Sequence, residues 1–329
     1  MFYSQGDPPS SEATNVFVDF SKVSGDPVQG SVKPPKGTEY LHFNLGSLFS
    51  PCSKTSLYRP EDFMNHHRLM MNSFVSEHPL PTSYETIDHP VYLLARDEDC
   101  ENTFHTMADF TNMFLVHLIL GGDLISQQQV VLMDRFSNGP YFELIQKAFS
   151  PSHAVLRHSD FNKKTILFRR LIFHLESPAA LTHPEVAIPD PLTCYSTGLF
   201  HEFRKHVLQS FHLWNITPPK IPTAVLSLRH RTPHKNVGRV MANEKDVINV
   251  LNEGNMFTYQ VIDSASLSFE EQLKIIRNAN ILIGVHGAGL MHILFAAEEC
   301  VLVEIHPSYR QDRHFRHAAR LVGIRLDQI

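Results

Sequence analysis

Apolar residues recur along this chain in two rhythms. Short, nearly continuous runs such as VYLLAR, VVLMD, TAVLSLR, TYQVI, ILIGV, VLVEI and IRL are separated by longer stretches whose apolar positions return every three or four residues. The first rhythm predicts buried parallel strands and the second predicts amphipathic helices laid over them. From about residue 85 the order reads strand VYLLAR, a helix from Glu101 to Leu120, strand VVLMD, a helix near Tyr141 to Phe149, then short strands at AVLR, TILF and LIFHL. A long amphipathic helix over roughly Thr197 to Trp214 precedes NITPPKIP, whose prolines read as an interdomain linker. The second half is more regular: strand TAVLSLR, a helix from about Asn243 to Leu251, TYQVI, a helix from Phe269 to Asn278, ILIGV, a helix to Ala297, VLVEI, a helix from Asp312 to Val322, and IRL. Ser268 followed by Glu271 is a capping box for one of these helices.

This reading gives three parts. Residues 1–84 form a loop-rich extension, with one strand at NVFVDF, that packs on the first of two lobes. Residues 85–214 form that first lobe, of α/β type, and residues 215–329 a Rossmann-like lobe. Length agrees with two lobes, since 329 residues exceed most single cores at roughly 150 residues per domain. With 43% hydrophobic and 19% charged residues the chain has enough apolar surface for real cores and does not have a disordered composition.

A net charge of -5 argues against a partner bound by broad phosphate neutralisation, which removes nucleic acid from the expected partners. The longest apolar run, MFLVHLIL from Met113 to Leu120, falls short of the ~18 residues of a membrane span, and MFYSQGDPPSSEATN has neither the basic nor the apolar segment of a signal peptide. Cys52, Cys100, Cys194 and Cys300 are far apart and form no C-x-x-C pair, so zinc or redox work is not indicated, and Cys300 beside VLVEI reads as a packed thiol.

Three stretches could carry chemistry. In GVHGAGL a strand gives way to a helix through His286, Gly287, Ala288 and Gly289. Such a turn exposes backbone N–H groups at a positive helix end, and its small residues let an anion approach the main chain. The bland alternative is that the glycines only permit close packing. The spacing is not the dinucleotide fingerprint, and the carboxylate after the next strand, Glu304, could hold ribose hydroxyls, so the motif indicates a nucleotide-type ligand without choosing one. In LSLRHRTPHKNVGRV, Arg229, Arg231, Lys235 and Arg239 cluster at and beyond a strand end, where phosphate is their natural partner. In the helix beginning ENTFHTMADFTN, the residues Asn102, His105, Asp109 and Asn112 share one face, and their stripe lacks the Lys, Arg and Glu of a solvated surface. His105 and Asp109, one turn apart, could act as a base and its orienting partner.

Taken together, ENTFHTMADFTNMFLVHLI, CYSTGLFHEFRKHVLQSFHLWNIT, the arginine-bearing strand end with NEKD, and ILIGVHGAGLMHILF with VLVEI resemble glycosyltransferase family 61 over roughly residues 85 to 325. The resemblance implies a GT-B architecture, two Rossmann-like lobes facing a cleft, with residues 85–214 on the acceptor side and residues 215–329 holding the nucleotide sugar. It implies inverting transfer of a sugar, N-acetylglucosamine from a UDP-sugar, to a Ser or Thr hydroxyl of a secretory protein such as an EGF-like domain. Xylosyl or arabinosyl transfer to a glycan, and a non-catalytic UDP-sugar-binding relative, are the alternatives. On the matching residues, Arg229, His286, Gly287, Ala288, Gly289 and Glu304 would contact the donor, with Arg231 and Arg239 nearby and Arg96 and Asn102 approaching from the other lobe. Asp109 or His105 would be the base. Arg229 and the turn would neutralise the diphosphate, so no metal cofactor is expected. The implied compartment is the lumen of the endoplasmic reticulum or Golgi.

Two other chemistries compete. Asp97-Glu98-Asp99 superficially fits the metal-binding Asp-x-Asp of a GT-A enzyme, although acidic residues also favour a helix start. Histidines such as His286, His292 and His306, or His314 and His317, suggest a metal-dependent hydrolase, but they match no established ligand spacing.

Overall fold

The computed structural model describes residues 11–28, 34–35, 37–51, 65–96, 100–121, 123–174, 182, 196–217, 219–229, 239–253, 257–307 and 313–329. The chain divides into two compact units, residues 1–101 with 108–181, and residues 102–107 with 182–329.

The first unit is built from β1 (Ser11–Asp19), a two-stranded ribbon of β2 (Val23–Ser24) and β3 (His42–Phe43), β4 (Leu48–Phe49), α1 (Asn65–Asn72), β5 (Phe74–Val75), β6 (Glu85–Leu94), α2 (Thr103–Leu120) from Ala108 onward, α3 (Leu124–Gln127), β7 (Gln129–Leu132), α4 (Phe142–Leu144), β8 (Leu156–Arg157) and β9 (Thr165–Phe173). Its main sheet runs β5-β4-β1-β9-β6-β7-β8. Strands β9, β6, β7 and β8 are parallel neighbours, while β1 lies antiparallel to β9 from Ser11 opposite Phe173 to Asp19 opposite Thr165.

Part of the stretch read as an extension is therefore an interior strand of the sheet. Alternation explains it: Val16 and Val18 enter one core, whereas Phe17 joins Phe49 and Leu167 in another and stacks on Phe49 at 5.0 Å between ring centroids. The two strands expected at TILF and LIF are one, because Arg169 and Arg170 continue the strand and find partners on β1. Arg169 Nη1 donates to Asn15 Oδ1 at 2.9 Å and Arg170 Nε to Glu12 Oε1 at 2.6 Å.

Helix α2 is buried on every side over most of its length, and Leu118 and Ile119 are exposed only at its C-terminal end. Of its polar stripe, Asp109 and Asn112 are internal, while Asn102 and His105 are only partly buried.

The second unit contains α5 (Gly198–Ser210), β10 (Thr223–Leu228), α6 (Glu244–Glu253), β11 (Thr258–Asp263), α7 (Phe269–Arg277), β12 (Ile281–Val285), a 3-10 segment (Ala288–Phe295), β13 (Val301–Ile305), α8 (His314–Leu321) and β14 (Arg325–Gln328). The five strands form one parallel sheet in the order β11-β10-β12-β13-β14. The capping box of α7 is present, Ser268 Oγ accepting from Glu271 N and Glu271 accepting from Ser268 N.

The expected helix after HGAG is instead a 3-10 segment. Helix α5, read from the sequence as part of residues 85–214, groups with this second unit. Its fully buried Arg204 donates from Nε to Leu294 O at 2.9 Å and from Nη2 to Val322 O at 3.2 Å, and burial pushes that guanidinium down to about 10. Cys300 is a free buried thiol, pushed up to about 12 by burial, and Cys100 is also free and buried, while Cys52 and Cys194 lie outside the described residues.

Candidate functional site

Numbered within their own sheet, the parallel strands of the second unit run 2-1-3-4-5. The chain leaves β10 outward to β11, then crosses back to β12 and continues the other way. Such a reversal opens a crevice at the carboxyl ends of the two strands flanking it, and open parallel sheets bind ligands there. Register places Ser227 of β10 beside Gly284 of β12. The residues just beyond, Arg229 on one side and His286 to Gly289 on the other, meet at the crevice.

The contact is intimate. A Cβ built on Gly287 would run into Nη1 of Arg229, with Cζ at 2.9 Å and Cδ at 3.2 Å, so only glycine lets the guanidinium lie across this backbone. Nη1 of Arg229 is buried and has no hydrogen-bond partner among the described residues. Burial, and then the charge of Arg239, lowers the Arg229 pKa from its ordinary value. Two cations near enough to oppose each other, one with a buried unpaired donor, create a strong preference for an anion.

The turn adds donors of its own. Leu290 N donates to Gly287 O at 2.9 Å and His286 N to Ile305 O at 3.0 Å, whereas the N–H groups of Gly287, Ala288 and Gly289 find no protein acceptor among the described residues. Consecutive free amides at the start of a helical segment form an anion nest. Ser227 Oγ and Ser264 Oγ lie 3.5 and 3.9 Å from the place a Gly289 Cβ would occupy, which brings hydroxyls from β10 and from the end of β11 to the same turn.

Glu304 is buried beside the turn. Strand alternation puts it on the same side as the fully buried Leu302, and its Oε1 meets His286 Nδ1 at 2.5 Å with both side chains almost wholly enclosed. His286 also packs against His306 and Phe315, at centroid distances of 4.8 and 4.9 Å. His286, Glu304 and His306 could together hold a cation, since their ligand atoms all lie within 4.8 Å of one another. As arranged, however, the first two are hydrogen-bonded, and two ligands of one ion with bonds of about 2.1 Å would stand about 3 Å or more apart.

Arg96 follows β6 and is buried against Asp134, which follows β7. Nε donates to Asp134 Oδ2 at 2.9 Å, Nη2 to Oδ1 at 2.7 Å, and further bonds reach Phe136 O and Asn138 O. Burial alone would lower the Arg96 pKa, but Asp134 more than offsets it and the value is raised. Asp109 is buried and its Oδ1 lies 3.3 Å from His174 Nε2, while His174 Nδ1 lies 2.9 Å from the Tyr92 hydroxyl.

His105, one turn before Asp109 on α2, is only partly buried. Asn102 caps α2, its Oδ1 accepting from Phe104 N at 3.0 Å. Arg231, Lys235 and the Asp97-Glu98-Asp99 run lie outside the described residues. Sequence reasoning passed over Asp134, His174, Ser227 and Ser264. All four sit at or just past a strand's carboxyl end, and that position was the signal that could have found them.

The glycosyltransferase 61 family model matches residues 103–303. The chain is 28% identical over 242 residues to the EGF domain-specific O-linked N-acetylglucosamine transferase of Gallus gallus, covering 72% of this chain and 44% of that protein. Proteins of the same name match at 28% identity in Rattus norvegicus, with the same coverage, and at 26% in Drosophila melanogaster, covering 73% of this chain and 45% of that protein. The chain thus spans less than half the length of these relatives.

Proposed function

The chain belongs to glycosyltransferase family 61, and from that premise we propose that it transfers N-acetylglucosamine from UDP-N-acetylglucosamine to a Ser or Thr hydroxyl of an EGF-like domain. The two units would serve as the lobes of a GT-B enzyme, the second holding the donor. The observation that carries this reading is the Arg229 guanidinium laid across Gly287 at the switch point, with a buried donor that has no partner among the described residues and a second arginine close by.

In this reading the donor's diphosphate takes the place of the missing counter-charge. The amides of Gly287 to Gly289 and the guanidiniums of Arg229 and Arg239 bind its oxygens. When the acceptor oxygen attacks the anomeric carbon from the opposite side, the bond to the β-phosphate breaks and the configuration inverts. Negative charge then grows on the leaving UDP, and fixed donors are most effective where charge develops. His286, steadied by Glu304, completes the turn's polar wall.

The hydroxyl proton passes to a base on α2, either His105 or Asp109. His105 is the more accessible of the two, and Asp109 is held by His174. The compartment this reading implies is the lumen of the secretory pathway; among the described residues no helix is long and apolar enough to cross a membrane.

The experiment is a thermal-shift panel of UDP-sugars followed by mass spectrometry of an EGF-like acceptor. UDP-N-acetylglucosamine should raise the melting temperature most, by linkage with binding to the native state, and the acceptor should gain one N-acetylhexosamine. Equal indifference to every uridine nucleotide would refute the donor site. Stabilisation without transfer to protein or glycan would reduce the chain to a sugar-nucleotide-binding protein.

A further inference from the structure

Two further buried polar side chains hydrogen-bond to the loops at the switch point. His292 follows Gly289 by one turn of the 3-10 segment and is 1% exposed. Its Nδ1 lies 2.7 Å from Gly289 O. Burial lowers its pKa, favouring the neutral imidazole with its single proton on the Nδ1 that donates, and Nε2 is left buried with no protein partner among the described residues. Gln272, on α7 and 4% exposed, gives its amide hydrogens to Ser264 O and Leu267 O, both at 2.9 Å, and its Oε1 is likewise buried without a partner among the described residues.

We propose that His292 and Gln272 are positioning residues that fix the two loops walling the diphosphate site, the turn after β12 and the loop after β11. This rests on the reading of that turn as the donor's phosphate site. Each side chain leaves one buried acceptor without a partner among the described residues, a cost that a leucine of similar size would avoid. Packing alone therefore does not account for either residue, whereas the bonds they make do.

His292 takes Gly289 O, and Leu290 N takes Gly287 O. With these two carbonyls held by protein donors, the amides of Gly287, Ala288 and Gly289 are the groups the turn has left for a ligand. Glycine backbones would otherwise sample many conformations, so the clamp supplies preorganisation that the glycines lack. Gln272 does the equivalent from the other side. It brackets the Ser264 to Leu267 loop, which carries the Ser264 hydroxyl to 3.9 Å from the Gly289 Cβ position.

The test is calorimetric titration of UDP, with melting temperatures measured in parallel, on the full chain and on His292→Leu, Gln272→Leu and His292→Asn. Both leucine variants should bind UDP about tenfold more weakly while melting at or above the parent temperature, the loss expected for one hydrogen-bonded clamp. His292→Asn, which keeps a donor near the Nδ1 position, should recover most of the affinity. Unchanged UDP affinity in the leucine variants overturns the proposal and leaves the donor site standing. Weakened binding that tracks a fall in melting temperature, without recovery in His292→Asn, also overturns it by making the role one of packing. A parent protein that does not bind UDP at all overturns the donor-site reading itself, and the clamp falls with it.

Discussion

Arg96 and Arg229 occupy equivalent places, each just beyond the carboxyl end of a parallel strand, and they have opposite surroundings. Arg96 has its counter-charge in the protein: Asp134 receives two of its side-chain bonds and loop carbonyls receive two more. Arg229 lies on a glycine beside another arginine and retains a buried donor with no protein partner among the described residues. The first arrangement completes itself on folding, and its product is a shaped loop. The second is left open among the described residues. An arginine at a strand end therefore indicates a ligand only when its counter-charge is missing from the protein.

That contrast can be broken or sharpened by substitution. Arg96→Met should have the largest effect on stability. Removing one member of a buried ion pair strands the Asp134 carboxylate, at a cost of about 3–5 kcal/mol, readable as a lowered denaturant midpoint with an unchanged slope. A loss of UDP binding with no loss of stability would place Arg96 among the donor ligands. Gly287→Ala should act less on stability and more on function. The new methyl group displaces the Arg229 guanidinium, so UDP affinity should fall by about tenfold to a hundredfold, about 1.4–2.7 kcal/mol, while the melting temperature moves little. If Gly287→Ala binds UDP normally, the guanidinium does not need to lie where it does.

How far these features could be read from sequence depends on how local they are. The HGAG turn was legible because its strand, its small residues and its following segment are contiguous, and Arg229 because it directly ends a strand. The alternation of the second half was enough to predict a parallel sheet, although sequence alone could not fix the order β11-β10-β12-β13-β14 that creates the switch point. Arg96 drew attention only through resemblance. Its partner Asp134 is 38 positions away, and nothing local links the two.

Glu304 was legible as a strand-end carboxylate, but its bond to His286, 18 positions away, was not. The membership of β1 in the first sheet depends on pairing with β9, which brings together Glu12 and Arg170 from 158 positions apart, and composition hides that strand behind a Pro- and Gly-rich neighbourhood. On α2, Asp109 enters an internal network with His174 and Tyr92, whose members are 65 and 82 positions apart and could not be linked from sequence, while His105 stays partly exposed.

The central claim is that the Arg229 and Gly287 crossing holds a diphosphate. It is tested most directly by titrating UDP and uridine into the parent protein and into Arg229→Gln. UDP should bind the parent about a hundredfold more tightly than uridine does, a margin of roughly 2.7 kcal/mol, and Arg229→Gln should lose most of that margin while folding as the parent does. If UDP and uridine bind the parent equally, or if Arg229→Gln keeps the full preference for UDP, the anion site lies elsewhere and the account fails.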